Sequence, residues 1–115
     1  MALALNVFQT ITSVVPSSPV GIYTAPTGYT GVVLLAQATN IGTDTHTVSF
    51  SHKRTPKVTG IAVTTEILKD FPIGGSDTAN LLPGKLVLES GDVLVISASN
   101  SSNLKFIGSI LETLN

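Results

Sequence analysis

The chain has 115 residues, of which 13 are Asp, Glu, Lys or Arg and 27 are Ser or Thr, with formal net charge −1. Mean hydropathy is +0.42. Ordinary domains are about a quarter charged, so this balance excludes an electrostatic footprint for nucleic acid or an anionic membrane. The lack of cysteine excludes disulfides and thiolate metal sites.

The chain opens on Met1-Ala2-Leu3-Ala4-Leu5, which is apolar but has no basic flank, and Asn6, Gln9 and Thr10 interrupt it. It does not read as a signal peptide, and no run approaches the ~20 apolar residues of a spanning helix. The expectation is a protein made and used in the cytosol, or in something assembled there. Short Val/Ile/Thr/Leu runs then recur, separated by Gly, Pro, Asn and Asp. They predict strands at Asn6–Val15, Val20–Thr24, Gly31–Thr39, Thr45–His52, Ile61–Phe71, Lys85–Glu89, Asp92–Ser99 and Lys105–Thr113. Pro16 and Pro19 bracket the first break. Pro26-Thr27-Gly28 turns the chain, with Gly28 supplying the positive φ of a type II turn and Gly84 after Pro83 repeating the device. Ser90-Gly91-Asp92 reads as a tight hairpin, and Ser97–Asn103 as a strand end followed by a polar turn. The expectation is an all-β fold: one antiparallel β-sandwich domain over residues 1–115, of about eight strands, jelly-roll or immunoglobulin-like.

Within Thr45–His52, Val48 and Phe50 alternate with Thr47, Ser49 and Ser51, which places Val48 and Phe50 in the core. Other strands are apolar on both faces: Val32–Leu35, Val93–Ile96, and Phe106–Leu111 around Gly108 and Ser109. A sandwich strand needs only one buried face, and charge is sparse everywhere. Burial of the outer face against another subunit accounts for both observations. The candidate interface is Val7, Ile11, Val33, Leu35, Val93, Val95, Ile107 and Leu111.

No catalytic constellation is visible. His46 and His52 share parity on one strand, which puts them about 20 Å apart at ~3.3 Å per residue, too far to hold one metal. Asp70, Asp77, Glu89 and Asp92 sit at turns, where Asp side chains bond their own backbone. No Gly-x-Ser-x-Gly elbow is present, and Gly74-Gly75-Ser76 is too short to cradle a phosphate. Lys53, Arg54 and Lys57 form one basic cluster without an aromatic partner. It reads as a solvated loop leaving the sheet, or as a contact to an acidic protein neighbour. The expectation is a protein with no cofactor, no metal and no catalytic residue.

Val20-Gly21-Ile22-Tyr23-Thr24-Ala25-Pro26-Thr27-Gly28-Tyr29-Thr30, followed by Val32–Asn40, resembles the opening of small virion structural proteins of tailed bacteriophages of the marine and cyanobacterial type. Those proteins carry a Tyr-Thr-Ala-Pro-x-Gly turn and then an apolar strand ending in Asn. The resemblance continues through Thr45–Phe50, Thr65–Ile73 and Leu82–Asp92 and closes on Ile107–Glu112, with Lys53–Lys57 departing from it. It implies a virion component made in the host cytoplasm, a capsid decoration or cement protein first and a neck, collar or tail accessory subunit second. The implied partners are further copies of the chain, a trimer foremost, and phage structural proteins such as the major capsid protein. A carbohydrate- or receptor-binding sandwich is the reading of another class. The absence of Trp and the presence of only Tyr23, Tyr29 and four Phe count against its aromatic platform.

Overall fold

Nine strands form two antiparallel sheets in the computed structural model, which describes residues 5–115 and contains no helix among them. They are β1 (Asn6–Val14), β2 (Val20–Thr24), β3 (Tyr29–Asn40), β4 (His46–Arg54), β5 (Val63–Ile73), β6 (Thr78–Asn80), β7 (Leu86–Leu88), β8 (Val93–Ala98) and β9 (Leu104–Leu114). The first sheet runs β1-β9-β3-β6, with β7 also on β3, and the second runs β2-β8-β4-β5.

The extra strand has a simple origin. β6 pairs with Gln37–Thr39 and β7 with Gly31–Val33, both antiparallel to β3. Between them the Leu81 N–H donates to the Ala36 carbonyl at 2.8 Å. They are two halves of one edge strand, parted where Pro83-Gly84 interrupts the ladder. Counted once, they leave eight strands that cross between the sheets in the double Greek-key order of a jelly roll. That order decides between the two expected sandwich types.

The same topology corrects one turn. β7 belongs to the first sheet and β8 to the second, so Ser90-Gly91-Asp92 is an arch between sheets and not a hairpin. Gly91 supplies its positive φ of 90°, and the Asp92 N–H closes it on the Glu89 carbonyl at 2.9 Å. Gly28 has the expected positive φ, 87°, in a turn closed by the Tyr29 N–H on the Pro26 carbonyl at 3.1 Å. Gly84 does not share this conformation. Two strand limits also move. β4 extends through Lys53-Arg54, so these cations belong to the sheet and not to a loop. β5 continues to Ile73, and Pro72 is tolerated because β5 is an edge strand.

Val48 and Phe50 are fully buried, as their alternation requires. Phe50 of the second sheet stacks on Phe106 of the first with ring centroids 5.9 Å apart. Leu81, Leu88, Leu94, Ile96, Leu104 and Ile110 fill the space around them. A polar clip also spans the layers: the Tyr23 hydroxyl donates to the buried Glu112 carboxylate. Burial, then the hydrogen bond and charge of Glu112, push the Tyr23 phenol well above its ordinary pKa.

Candidate subunit interface

The register of the first sheet determines what its outer face presents, because directly opposed residues in an antiparallel ladder share a face. Phe8 pairs with Leu111, Leu111 with Val32, and Val32 with Val87. These four residues form an apolar row across β1, β9, β3 and β7. Phe8 is 75% exposed and Val87 55%. The next row is Thr10, Ser109 and Leu35, and the third Thr12, Ile107, Gln37 and Asn80. The last is Val14, Lys105, Thr39 and Thr78, and Lys105 is the one charged residue in these rows. A register shift between Val33 and Leu35 leaves Leu34 and Leu35 both exposed, which explains the unbroken Val32–Leu35 run.

The eight candidate interface residues fall into three places. Leu35, Ile107 and Leu111 lie together on this outer face. Val93 and Val95 lie on the outer face of the second sheet, opposite Lys53 and Ser51. Val33 is a core residue, and Val7 and Ile11 point inward, opposed to Glu112 and Gly108 on β9. Sequence reasoning missed Phe8 and Val87. Phe8 sits among polar residues in Asn6–Val14, and only its pairing with Leu111 reveals the row.

The outer face of the second sheet is mixed, with Val93 and Val95 set among polar and charged side chains. It holds an open groove of about 700 Å³ lined among others by Ser49, Ser51, Ser97, Lys53, Glu66, Lys69 and Asp70, and by no aromatic ring. Asp70 adopts a positive φ of 50° in the β4–β5 irregularity, where its N–H donates to Ser49 Oγ at 3.0 Å.

At the arch end the basic cluster divides. Arg54 donates through Nη2 to Asp92 Oδ2 at 2.7 Å and through Nε to Oδ1 at 3.1 Å, and it also reaches Glu89 at 3.0 Å. His52 Nε2 lies 2.9 Å from the same Oδ2, and the Glu89 N–H donates to it at 3.0 Å. The expected turn chemistry of Asp92 is therefore present, with two β4 side chains added to it. Burial raises the Asp92 carboxyl, but the hydrogen bonds from Arg54, His52 and the Glu89 N–H outweigh burial and hold it below the usual carboxylate range. Arg54 is thus committed within the chain, while Lys53 and Lys57 remain exposed. His46 belongs to the other end of β4, where its Nε2 meets Asn103 Nδ2 at 3.1 Å. Among the described residues no group of His, Asp and Glu is placed to hold a metal ion. Of the two tyrosines available for stacking in the carbohydrate reading, Tyr23 is 8% exposed and engaged with Glu112, and Tyr29 is half-buried at the start of β3.

No family model matches the chain, and no curated protein matches its sequence. Solved structures share its fold. A chain in the acidic stable capsid structure of Helicobacter pylori bacteriophage KHP30 superposes with TM-score 0.55 at 12% identity, over 96% of this chain and 89% of that one. A mutant VP2 protein of infectious bursal disease virus, in derived T=1 particles, gives TM-score 0.55 at 12% identity. It is matched over 96% of this chain but only 32% of its own length, so this chain spans about a third of VP2. At these identities the likeness is one of fold. It is coarser than the resemblance to marine and cyanobacterial phage proteins drawn from the motifs.

Proposed function

We propose that this protein is a non-enzymatic structural subunit of a bacteriophage virion that associates with copies of itself through the outer face of its first sheet. The observation that carries the reading is the row Phe8–Leu111–Val32–Val87 on a face whose outward rows hold Lys105 as their one charge. Contiguous exposed apolar surface of this kind marks an interaction site. The jelly-roll order and its likeness to a chain of a phage capsid support the virion setting. A trimer is the favoured assembly, because capsid lattices offer local three-fold positions, and decoration or cementing of the major capsid protein is the favoured duty. The protein is made in the host cytoplasm and ends in the particle.

Reconstruction of intact particles tests this. Trimers at local three-fold positions, with the first sheet buried between copies, are the expected density. Density at the neck, collar or tail would reassign the subunit within the virion, and absence from the particle would overturn the proposal. A carbohydrate-binding role draws no support from the groove of the second sheet, which lacks an aromatic platform.

A further inference from the structure

The connection between β4 and β5 is an arm with unusual composition. Residues 55–62 lie beyond the last strand pair, Arg54↔Val63. Every residue from 57 to 66 is exposed, and Val58 is 97% and Ile61 69% exposed. The arm is nevertheless built. The Gly60 N–H donates to the Pro56 carbonyl at 2.8 Å with Gly60 at a positive φ of 67°, and Thr59 Oγ1 accepts from the Ile61 N–H at 3.3 Å. Its base is clamped by the Arg54–Asp92 bonds. An apolar knob held in this way loses little conformational freedom on docking.

At the other end of the sandwich is a hollow of about 590 Å³ whose lining includes Val14, Ile41 and Ile107. These three are 54%, 55% and 41% exposed. Ile41 opens the short loop that leads through residues 42–45 into the start of β4, and the arm follows the end of β4, so knob and hollow lie at opposite ends. A chain cannot fill its own hollow with its own arm.

Charge also matches. From Lys53 to Thr65 there is no acidic residue, and with Arg54 committed to Asp92, Lys57 is the free charge of the tip. Beside the hollow, the Asp77 carbonyl accepts from the Asn40 N–H at 2.9 Å and the Asp44 carbonyl from Asn40 Nδ2 at 2.7 Å. These two acids outnumber Lys105, which lines the hollow.

We propose that the β4–β5 arm of one copy seats Val58 and Ile61 in the Val14–Ile41–Ile107 hollow of a second copy, with Lys57 facing its Asp44 and Asp77. The contact joins different patches on the two copies, and such heterologous contacts close into rings when the rotation permits. It rests on the self-association proposed above and identifies a second contact beyond the sheet face.

The absence of cysteine makes the test direct. Val58→Cys and Ile41→Cys are made as separate variants, mixed in equal amounts and oxidised gently. The expected product is a Val58–Ile41 mixed disulfide well above the one-half share that random pairing would give. Val58→Asp, at a fully exposed position, is expected to weaken association about tenfold or more with the fold intact. If native mass shows an oligomer but pairing is random and Val58→Asp associates like the parent, the arm contact is overturned and the sheet-face reading stands. A chain that stays monomeric at every concentration overturns both.

Discussion

The two outer faces of the sandwich are made from the same strand-forming residues but would meet water very differently. Around the groove of the second sheet, Lys53, Glu66, Lys69 and Asp70 stand among Ser49, Ser51 and Ser97, and Val93 and Val95 are interspersed with these charges. Across the first sheet, four apolar residues line up in one row, and Lys105 is the only charge in the rows below. Thirteen charges are few for 115 residues, and their uneven placement is more informative than their number. One face is equipped to remain wet, and the other gains by being covered. Buried apolar area contributes roughly 25 cal/mol per Å² before ordering costs.

The largest expected effect calibrates the comparison, because both faces rest on one core. Phe50→Ala removes the ring that stacks on Phe106 and should cost about 3–5 kcal/mol in denaturant unfolding. A loss within ~1 kcal/mol would show that the two sheets do not depend on a shared core. Between the faces themselves, Leu111→Asp should weaken self-association about a hundredfold, or about 2.8 kcal/mol. Val95→Asp in the second sheet should leave it within about threefold, a change of less than ~1 kcal/mol. Equal effects measured by sedimentation would erase the distinction.

Much of this architecture is legible in the amino-acid sequence. Alternation in Thr45–His52 placed Val48 and Phe50 inside, and Pro26-Thr27-Gly28 marked a turn that does need a positive φ. Other features depend on pairing partners that local pattern does not carry. Thr78–Asn80 is too short to show a period, and it becomes a strand only because β3 offers an unpaired edge. The register shift at Leu34 reverses parity along β3, so Val33 and Leu35, two residues apart, end on opposite sides. Arg54 and Asp92 are remote in sequence, and the arch between sheets brings them together. β1 is paired along its length with β9 and forms one edge of the first sheet, while Met1–Ala4 lie outside the described residues.

The clamp beneath the second sheet gives a smaller, pH-dependent effect. Asp92→Asn should cost about 1–3 kcal/mol, since Arg54 and His52 lose a charged acceptor. The Asp92 pKa is lowered on folding, so its contribution is present above the unfolded carboxyl value, about 3.9, and is lost as pH falls through the lower folded value. The acid limb of the stability curve should therefore flatten in Asp92→Asn, and an unchanged limb would remove Asp92 from the account. Tyr23 acts at the alkaline end with the opposite sign. Its raised pKa favours the folded state below the unfolded phenol value, about 10, and that contribution fades as pH rises further. Tyr23→Phe should show less alkaline loss than the parent in thermal melts. The smallest effect is that of salt: if apolar area dominates the first sheet's contact, molar NaCl should change association less than about threefold.

Native mass of the purified protein, followed from low to high micromolar concentration, tests the central claim most directly. The account predicts a stable species at three times the 11.9 kDa chain mass, dispersed by Leu111→Asp and kept by Val95→Asp. A single-chain mass throughout that range would contradict it.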